Sequence, residues 1–223
     1  MKKYGLPLLI LLMSILYIFF IPAEPMEVKL LFKLIPMWLM IGYACLQLPS
    51  RKTRTHYLIL AGLFFCMLGD GLLIWFVIGL TAFLIGHLFY MTGFFSQWRF
   101  SIIRLITIVP IGAYSFFMGK ELITALELSG KDTLIIPVLA YITVISFMLW
   151  SAIMTANPWA IAGSVLFVIS DSILSWNMFI SDVPNSGVLI MSTYYSAQFL
   201  IARSLSSFGG SNRRSTIRHF PVN

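Results

Sequence analysis

Residues 61–75, AGLFFCMLGDGLLIW, and residues 162–176, AGSVLFVISDSILSW, follow the same layout at a constant offset of 101 positions. The two windows share five of 15 residues, and each places one aspartate, Asp70 or Asp171, within an otherwise apolar run. An ionisable side chain at membrane depth is energetically expensive, so it marks a functional site by default. The windows therefore predict a membrane protein with two intramembrane carboxylates.

The composition supports a membrane protein. Hydrophobic residues make up 59% of the chain and charged residues 10%, whereas a soluble domain has about 25% charged residues. Eight apolar runs approach the length of about 20 residues that spans a bilayer: 6–21, 30–48, 57–76, 80–95, 102–118, 134–155, 160–180 and 188–206. They predict one all-α bundle of eight transmembrane helices over residues 1–206, without a soluble domain, and a basic cytoplasmic tail at 207–223.

The repeated windows lie in the third and seventh predicted helices. If the first four and last four helices are repeats, the two halves run parallel, because four helices return the chain to its starting side. Chance similarity between apolar helices is the alternative. The first apolar run follows Lys2 and Lys3; we expect a retained helix rather than a signal peptide, since its apolar stretch is long and no clean cleavage site follows.

The net charge of +7 is distributed unevenly over the predicted loops. Eleven basic residues fall on the side of the termini and three on the other side, which also receives the loop acids. This asymmetry is the positive-inside pattern, so we expect cytoplasmic termini and no nucleic-acid partner. The tail either lies against anionic headgroups or is solvated.

Five predicted helices contribute polar side chains to the non-cytoplasmic half of the bundle, as judged from the helical rise. These side chains are Lys33, Asp70, His87, Asp171 and the adjacent Tyr194 and Tyr195. The two aspartates are the candidate catalytic acid and base. His87 is the candidate that orients a carboxylate or relays a proton, although a core histidine bonded to a backbone carbonyl is the competing interpretation.

The candidate substrate-binding residues are Lys33, Tyr90, Tyr194, Tyr195 and Asn177. Tyr90 shares a helix face with His87 at i, i+3 spacing. Lys33 pairs with an intramembrane aspartate, binds an anionic headgroup, or reaches the interface, and the two tyrosines are interior or interfacial. No metal or cofactor site is predicted, because His87 is the only histidine within an apolar run and no matching ligand spacing surrounds it.

At these residues the chain resembles the YhhN-like membrane proteins, the lysoplasmalogenase family. The resemblance extends from about residue 30 to 205. It rests on an ordered set of motifs: Lys33-x-x-Pro36, Leu68-Gly69-Asp70, His87-x-x-Tyr90, Gly163-Ser164-x-Leu166-Phe167-x-Ile169-Ser170-Asp171, and Met191-Ser192-Thr193-Tyr194-Tyr195-Ser196-Ala197-Gln198.

The resemblance implies hydrolysis of the vinyl-ether bond of a lysoplasmalogen, a single-chain ether lysophospholipid, to a fatty aldehyde and glycerophosphoethanolamine or glycerophosphocholine. It also implies a multi-pass protein of a bacterial inner membrane or a eukaryotic endoplasmic reticulum. We expect Asp70 to act as acid and Asp171 as base or cation stabiliser, with the reverse nearly as well supported. His87 would orient one carboxylate, and Lys33 would meet the substrate phosphate.

Two other classes of protein remain open. A proton-coupled transporter or lipid flippase also uses intramembrane acids and repeats, although the sequence lacks obviously broken helices in matched positions. A scaffold subunit leaves the two acids unexplained. A pocket open only to the outer half favours an enzyme, and alternating access favours transport.

Overall fold

The computed structural model describes residues 2–22 and 24–208, and over these residues the chain is helical, without strands. Of the tail predicted at 207–223, the part after Phe208 therefore lies outside the described residues. Eight long helices and one short helix, α5, follow each other along the chain: α1 (Lys2–Phe19), α2 (Met26–Leu46), α3 (Arg54–Leu72), α4 (Phe76–Phe95), α5 (Ile102–Ile106), α6 (Ile108–Leu128), α7 (Ile135–Met154), α8 (Pro158–Phe179) and α9 (Ser186–Ser204).

Six segments of the described chain are long and apolar enough to cross a membrane: Met26–Leu46, Arg54–Leu72, Phe76–Phe95, Ile102–Leu128, Asp132–Met154 and Pro158–Phe179. Large apolar side chains also cover the outside of the bundle, including Ile103, Phe116 and Ile136, each more than two-thirds exposed. Such a surface suits lipid rather than water. The protein is therefore an all-α membrane protein. The apolar helix Gly5–Phe19 is shorter, so a count of eight spans stays a prediction.

The turn between α3 and α4 is earlier in the chain than the sequence suggested. The apolar runs 57–76 and 80–95 place it at Val77–Gly79, about 12 Å from Asp70, but α3 ends at Leu72 and α4 begins at Phe76. Asp70 thus lies about 3 Å from the end of its helix. Gly79 explains the tight return, because a Cβ at this position would lie 2.6 Å from the Leu73 Cα atom.

The repeated windows occupy equivalent places in two closely packed helix pairs, α3 with α4 and α8 with α9. Gly62 in the first window faces the ring of Tyr90 without room for a Cβ, and Gly163 in the second faces Ile201 and the Ala197 carbonyl in the same manner. Matched glycines thus let matched helices approach closely. This agreement supports two parallel halves, which remain a prediction.

Candidate active site

Asp70 and Lys33 form a buried ion pair between α3 and α2. The Lys33 Nζ atom lies 3.1 Å from Asp70 Oδ1 and donates a hydrogen bond of 3.3 Å to the Asp70 backbone carbonyl. The side chain of Asp70 is 4% exposed and that of Lys33 is 15% exposed. We considered that Lys33 pairs with an aspartate, binds a headgroup or reaches the interface. The structure shows the pairing with an aspartate.

Both predicted tyrosines of α9 are part of this pair's surroundings. The Tyr194 hydroxyl donates a 2.6 Å hydrogen bond to Asp70 Oδ2, and the Tyr195 hydroxyl donates one of 2.8 Å to the Lys33 carbonyl. Both residues are nearly fully buried. The tyrosine side chains therefore face the inside of the bundle rather than its outer surface, and both carboxylate oxygens of Asp70 have a partner.

Asp171 has different partners. Its Oδ2 atom accepts a hydrogen bond from the hydroxyl of Tyr141 on α7. Among the side chains that the structure describes, no Lys, Arg or His lies within salt-bridge distance of Asp171. One carboxyl group of the site is thus paired with a cation, and the other is bonded to a neutral phenol.

Asp171 also lines an apolar cavity of about 80 Å³ between α4, α6, α7 and α8. Phe83, Tyr114 and Tyr141 contribute to its wall, but Asp70 does not. A joint acid–base role for the two aspartates predicts that both carboxylates face one cavity. This cavity reaches only Asp171, and a shared cavity for both acids stays a prediction.

Aromatic side chains connect the surroundings of the two acids. The Tyr194 ring packs edge-to-face on Phe167 at 5.4 Å and on Phe83 at 6.1 Å between ring centroids. The His87 ring packs in the same way on Phe167 at 4.5 Å and on Tyr141 at 5.3 Å. The ring contacts thus run from Tyr194 through Phe167 and His87 to Tyr141. They join the hydrogen-bond partner of Asp70 to that of Asp171.

His87 does not hydrogen-bond to either carboxylate, contrary to the role that we expected. Its Nδ1 atom bonds to the Phe83 carbonyl at 2.6 Å; because a carbonyl only accepts, Nδ1 is the donor. Its Nε2 atom is buried without a hydrogen-bond partner among the described residues. Any effect of His87 on Asp171 therefore acts through the Tyr141 ring that it contacts.

Two weaker candidates lie away from the carboxylates. The Tyr90 hydroxyl donates a 2.6 Å hydrogen bond to Gln198 Oε1, and both side chains are fully buried. Asn177 accepts a 2.9 Å hydrogen bond from the Val183 amide, so it holds the loop after α8. Neither side chain bonds to Asp70 or Asp171.

Sequence reasoning missed Tyr141, the partner of Asp171. This residue belongs to none of the motifs. Its one signal was a phenol within a mostly apolar helix, where a buried hydroxyl needs a partner. Among the described residues, no group of three His, Cys, Asp or Glu side chains comes together that is suited to a metal ion.

The fold and these residues define a class of protein: a helical membrane protein with two aspartates that have unlike partners, a lysine for Asp70 and a tyrosine for Asp171. The chain belongs to the YhhN family, whose model matches residues 28–205.

Named relatives cover most of the chain. It is 34% identical to human lysoplasmalogenase TMEM86A over 84% of this chain and 82% of the relative. The chain is 30% identical to mouse lysoplasmalogenase TMEM86B over 87% of this chain and 83% of the relative. A Mycobacterium tuberculosis lysoplasmalogenase is 31% identical over 56% of this chain and 49% of the relative. No solved structure matches the chain.

Proposed function

We propose that the protein is a lysoplasmalogenase that hydrolyses the vinyl-ether bond of an ether lysophospholipid. The proposal rests on one structural observation, the unlike partners of the two intramembrane acids. It is supported by relatives that are named for this activity and align with most of the chain.

The chemistry requires two carboxyl groups in different protonation states. A protonated carboxyl delivers its proton to the β-carbon of the vinyl ether, which leaves an oxocarbenium ion at the carbon that bears oxygen. An ionised carboxylate stabilises such a cation or accepts a proton from the attacking water, as the paired acids of glycosidases do. The resulting hemiacetal breaks its bond to the glycerol oxygen, which takes up a proton, and releases the aldehyde.

The partners of each acid favour a definite assignment. The Lys33 ammonium compensates the charge of Asp70, so Asp70 is the carboxylate. Asp171 lies against an apolar cavity and accepts from a phenol, and a carboxyl group without a cation in such surroundings is best neutral. Asp171 is therefore the acid in this mechanism and Asp70 the base or cation stabiliser, the reverse of the assignment that we favoured from the sequence.

Lys33 has two roles in this proposal. It keeps Asp70 charged, and its side chain, which is 15% exposed, lies near enough to the end of the bundle to meet the lipid phosphate. Tyr194 positions Asp70 through its hydrogen bond, and Tyr195 positions Lys33 through the backbone of α2. His87 is a positioning residue for Tyr141, while Tyr90 and Asn177 support the helices around the site.

Hydrolysis by purified protein in D₂O tests the proposal. Protonation of the β-carbon places one deuterium at carbon 2 of the aldehyde, which mass spectrometry detects. The matching saturated alkyl-ether lysolipid has no double bond to protonate and serves as the control substrate. Aldehyde without the deuterium contradicts the mechanism. Absence of aldehyde, with protonophore-sensitive lipid transport in vesicles, favours the transporter or flippase instead.

A further inference from the structure

A second and larger opening lies on the other side of the Asp70–Lys33 pair. This groove between α1, α2 and α9 has a volume of about 640 Å³, which falls in the range of roughly 300–1,000 Å³ typical of small-molecule sites. Its walls are mostly apolar and include Ile10 and Ile18 of α1, Met40 of α2 and Phe199 of α9. We call it the α1–α9 groove.

The α1–α9 groove adjoins the ion pair through one residue. Tyr195 lines the groove, and its hydroxyl is bonded to the backbone carbonyl of Lys33. The preceding residue, Tyr194, is bonded to Asp70. A molecule that fills the groove therefore lies one tyrosine ring away from the polar centre.

The groove has a length that suits a hydrocarbon chain, and its wall on α1 is apolar except for Ser14. Its wall on α1 extends from Pro7 to Phe19, a rise of about 18 Å, slightly more than half of the roughly 30 Å hydrocarbon core of a bilayer. The hydroxyl of Ser14, halfway along, is already bonded to the carbonyl of Ile10. The middle of the groove therefore offers apolar contacts and no free polar group from α1.

The position of Asp70 fixes how a lipid fits. Asp70 is close to the end of α3, at the same end of the bundle as Phe19, so a headgroup beside it reaches the interface. The groove leads from there along α1 towards Pro7 and along α9 towards Arg203. The cavity beside Asp171, at about 80 Å³, lacks the volume for a long chain.

We propose that the α1–α9 groove binds the single hydrocarbon chain of the lysolipid, with the glycerol end at Tyr195 and the methyl end near Pro7. The identity of this lipid rests on the proposed function. The groove then decides which chain lengths bind well and holds the reacting end beside the polar centre.

Photolabelling of the full-length protein tests this placement without depending on hydrolysis. The probe is a saturated alkyl-ether lysophospholipid that bears a diazirine at its terminal carbon. We expect the label on the α1–α9 groove near its far end, at Leu8, Leu11 or Arg203. Labelling concentrated on the opposite cavity, at Leu122 or Ile142, or spread over lipid-facing residues such as Phe116, overturns the proposal.

A groove-filling variant provides a second test. Ser196 lines the groove and is exposed in it, so Ser196→Trp should raise the KM for a long-chain lysoplasmalogen about tenfold while kcat changes little, as expected when uniform binding is lost. A short-chain substrate should show a much smaller effect. The matched control is Val109→Trp, on the lipid-facing surface of α6. An unchanged ratio between the two substrates contradicts the proposal.

The two proposals fail in distinguishable ways. If the protein releases no aldehyde but the probe labels the groove, the chain site stands and the hydrolase does not. If aldehyde is released while the label maps elsewhere, the hydrolase stands and the chain site does not. Equal competition against the probe by a diacyl phospholipid also overturns the assignment to a single-chain lipid.

Discussion

The Lys33 ammonium lies 3.1 Å from the Asp70 carboxylate, and this is the one salt bridge among the side chains that the structure describes. Asp171, the counterpart of Asp70 in the second repeated window, accepts a hydrogen bond from Tyr141 instead. Two aspartates at matched positions therefore have different electrostatic surroundings, one beside a cation and the other beside a neutral phenol. In the mechanism proposed above, this difference allows Asp70 to act as carboxylate and Asp171 as acid.

Replacement of Lys33 by Met should affect more than substrate binding. Loss of a phosphate contact alone would mainly raise the KM. The ion pair means that Lys33→Met also leaves the buried Asp70 charge unpaired, which destabilises by roughly 3 kcal/mol. We expect a lower thermal unfolding midpoint, a lower kcat and a higher KM.

A double variant separates the loss of the pair from the loss of the lysine. Lys33→Met with Asp70→Asn removes both charges and should recover most of the stability lost in Lys33→Met alone. Lys29→Met, at an exposed position in the first turn of α2, is the matched control and should leave stability unchanged. Additive losses in the double variant exclude a stabilising contact between Lys33 and Asp70.

Asp70→Asn and Asp171→Asn should each abolish most aldehyde release while the protein remains folded and extractable. Asparagine keeps the shape of the side chain but can neither deliver a proton nor compensate a cation, and both functions matter chiefly in the transition state. Lys33 is close enough to the helix ends to reach water once Asp70 is neutral. Asp182→Asn, in the exposed loop after α8, is the matched control. Near-normal kcat in both variants rules out the paired-acid mechanism.

Much of the fold was accessible from the sequence because membrane helices follow from length and hydropathy alone. The eight apolar runs correspond to the eight long helices. The error at the α3–α4 turn has a specific cause: Val77–Gly79 read as a loop because of Gly79, but this glycine serves close packing on Leu73 inside the first turn of α4.

The site was only partly accessible. The helical rise per residue places Lys33, Asp70 and Tyr194 in a common half of the bundle, and the structure joins them directly. The expected contact between His87 and a carboxylate was wrong, because His87 bonds to the Phe83 carbonyl instead. Spacing along one helix does not show which helix lies opposite. The pairing of Asp171 with Tyr141 depends on the packing of α7 against α8. The amino-acid sequence alone does not show which helices pack against each other.

The C-terminus should be cytoplasmic. The prediction comes from the excess of Lys and Arg on one side of the predicted spans and requires an even number of membrane crossings between the termini. A fluorescent protein that folds only in the cytoplasm, fused to the C-terminus, should be fluorescent, and an alkaline phosphatase fusion should be inactive. The reverse pattern refutes both the orientation and the placement of the site in the outer half.

Gly79→Ala should disturb the site from a distance. A Cβ at residue 79 would meet backbone atoms of Leu73 at 2.6 and 2.7 Å, and overpacking of this kind typically costs about 2 kcal/mol. Because Asp70 lies in the last turn of α3, the shift should also reduce aldehyde release. Gly112→Ala, at a position with open space around it, is the control for both measurements, and equal behaviour of the two variants contradicts the prediction.

Tyr141→Phe is the sharpest test of the acid assigned here. The change removes one hydroxyl, the donor to Asp171 Oδ2, and keeps the ring that contacts His87. If Tyr141 holds the Asp171 carboxyl in the orientation for proton delivery, kcat should fall roughly tenfold or more while KM changes little, because the interaction matters chiefly in the transition state. Tyr114→Phe is a close control, since Tyr114 lines the same cavity but donates to Ser172. An equal loss of kcat in both variants would assign the effect to the cavity wall, whereas a loss confined to Tyr141→Phe identifies the Tyr141–Asp171 hydrogen bond as part of the catalytic apparatus.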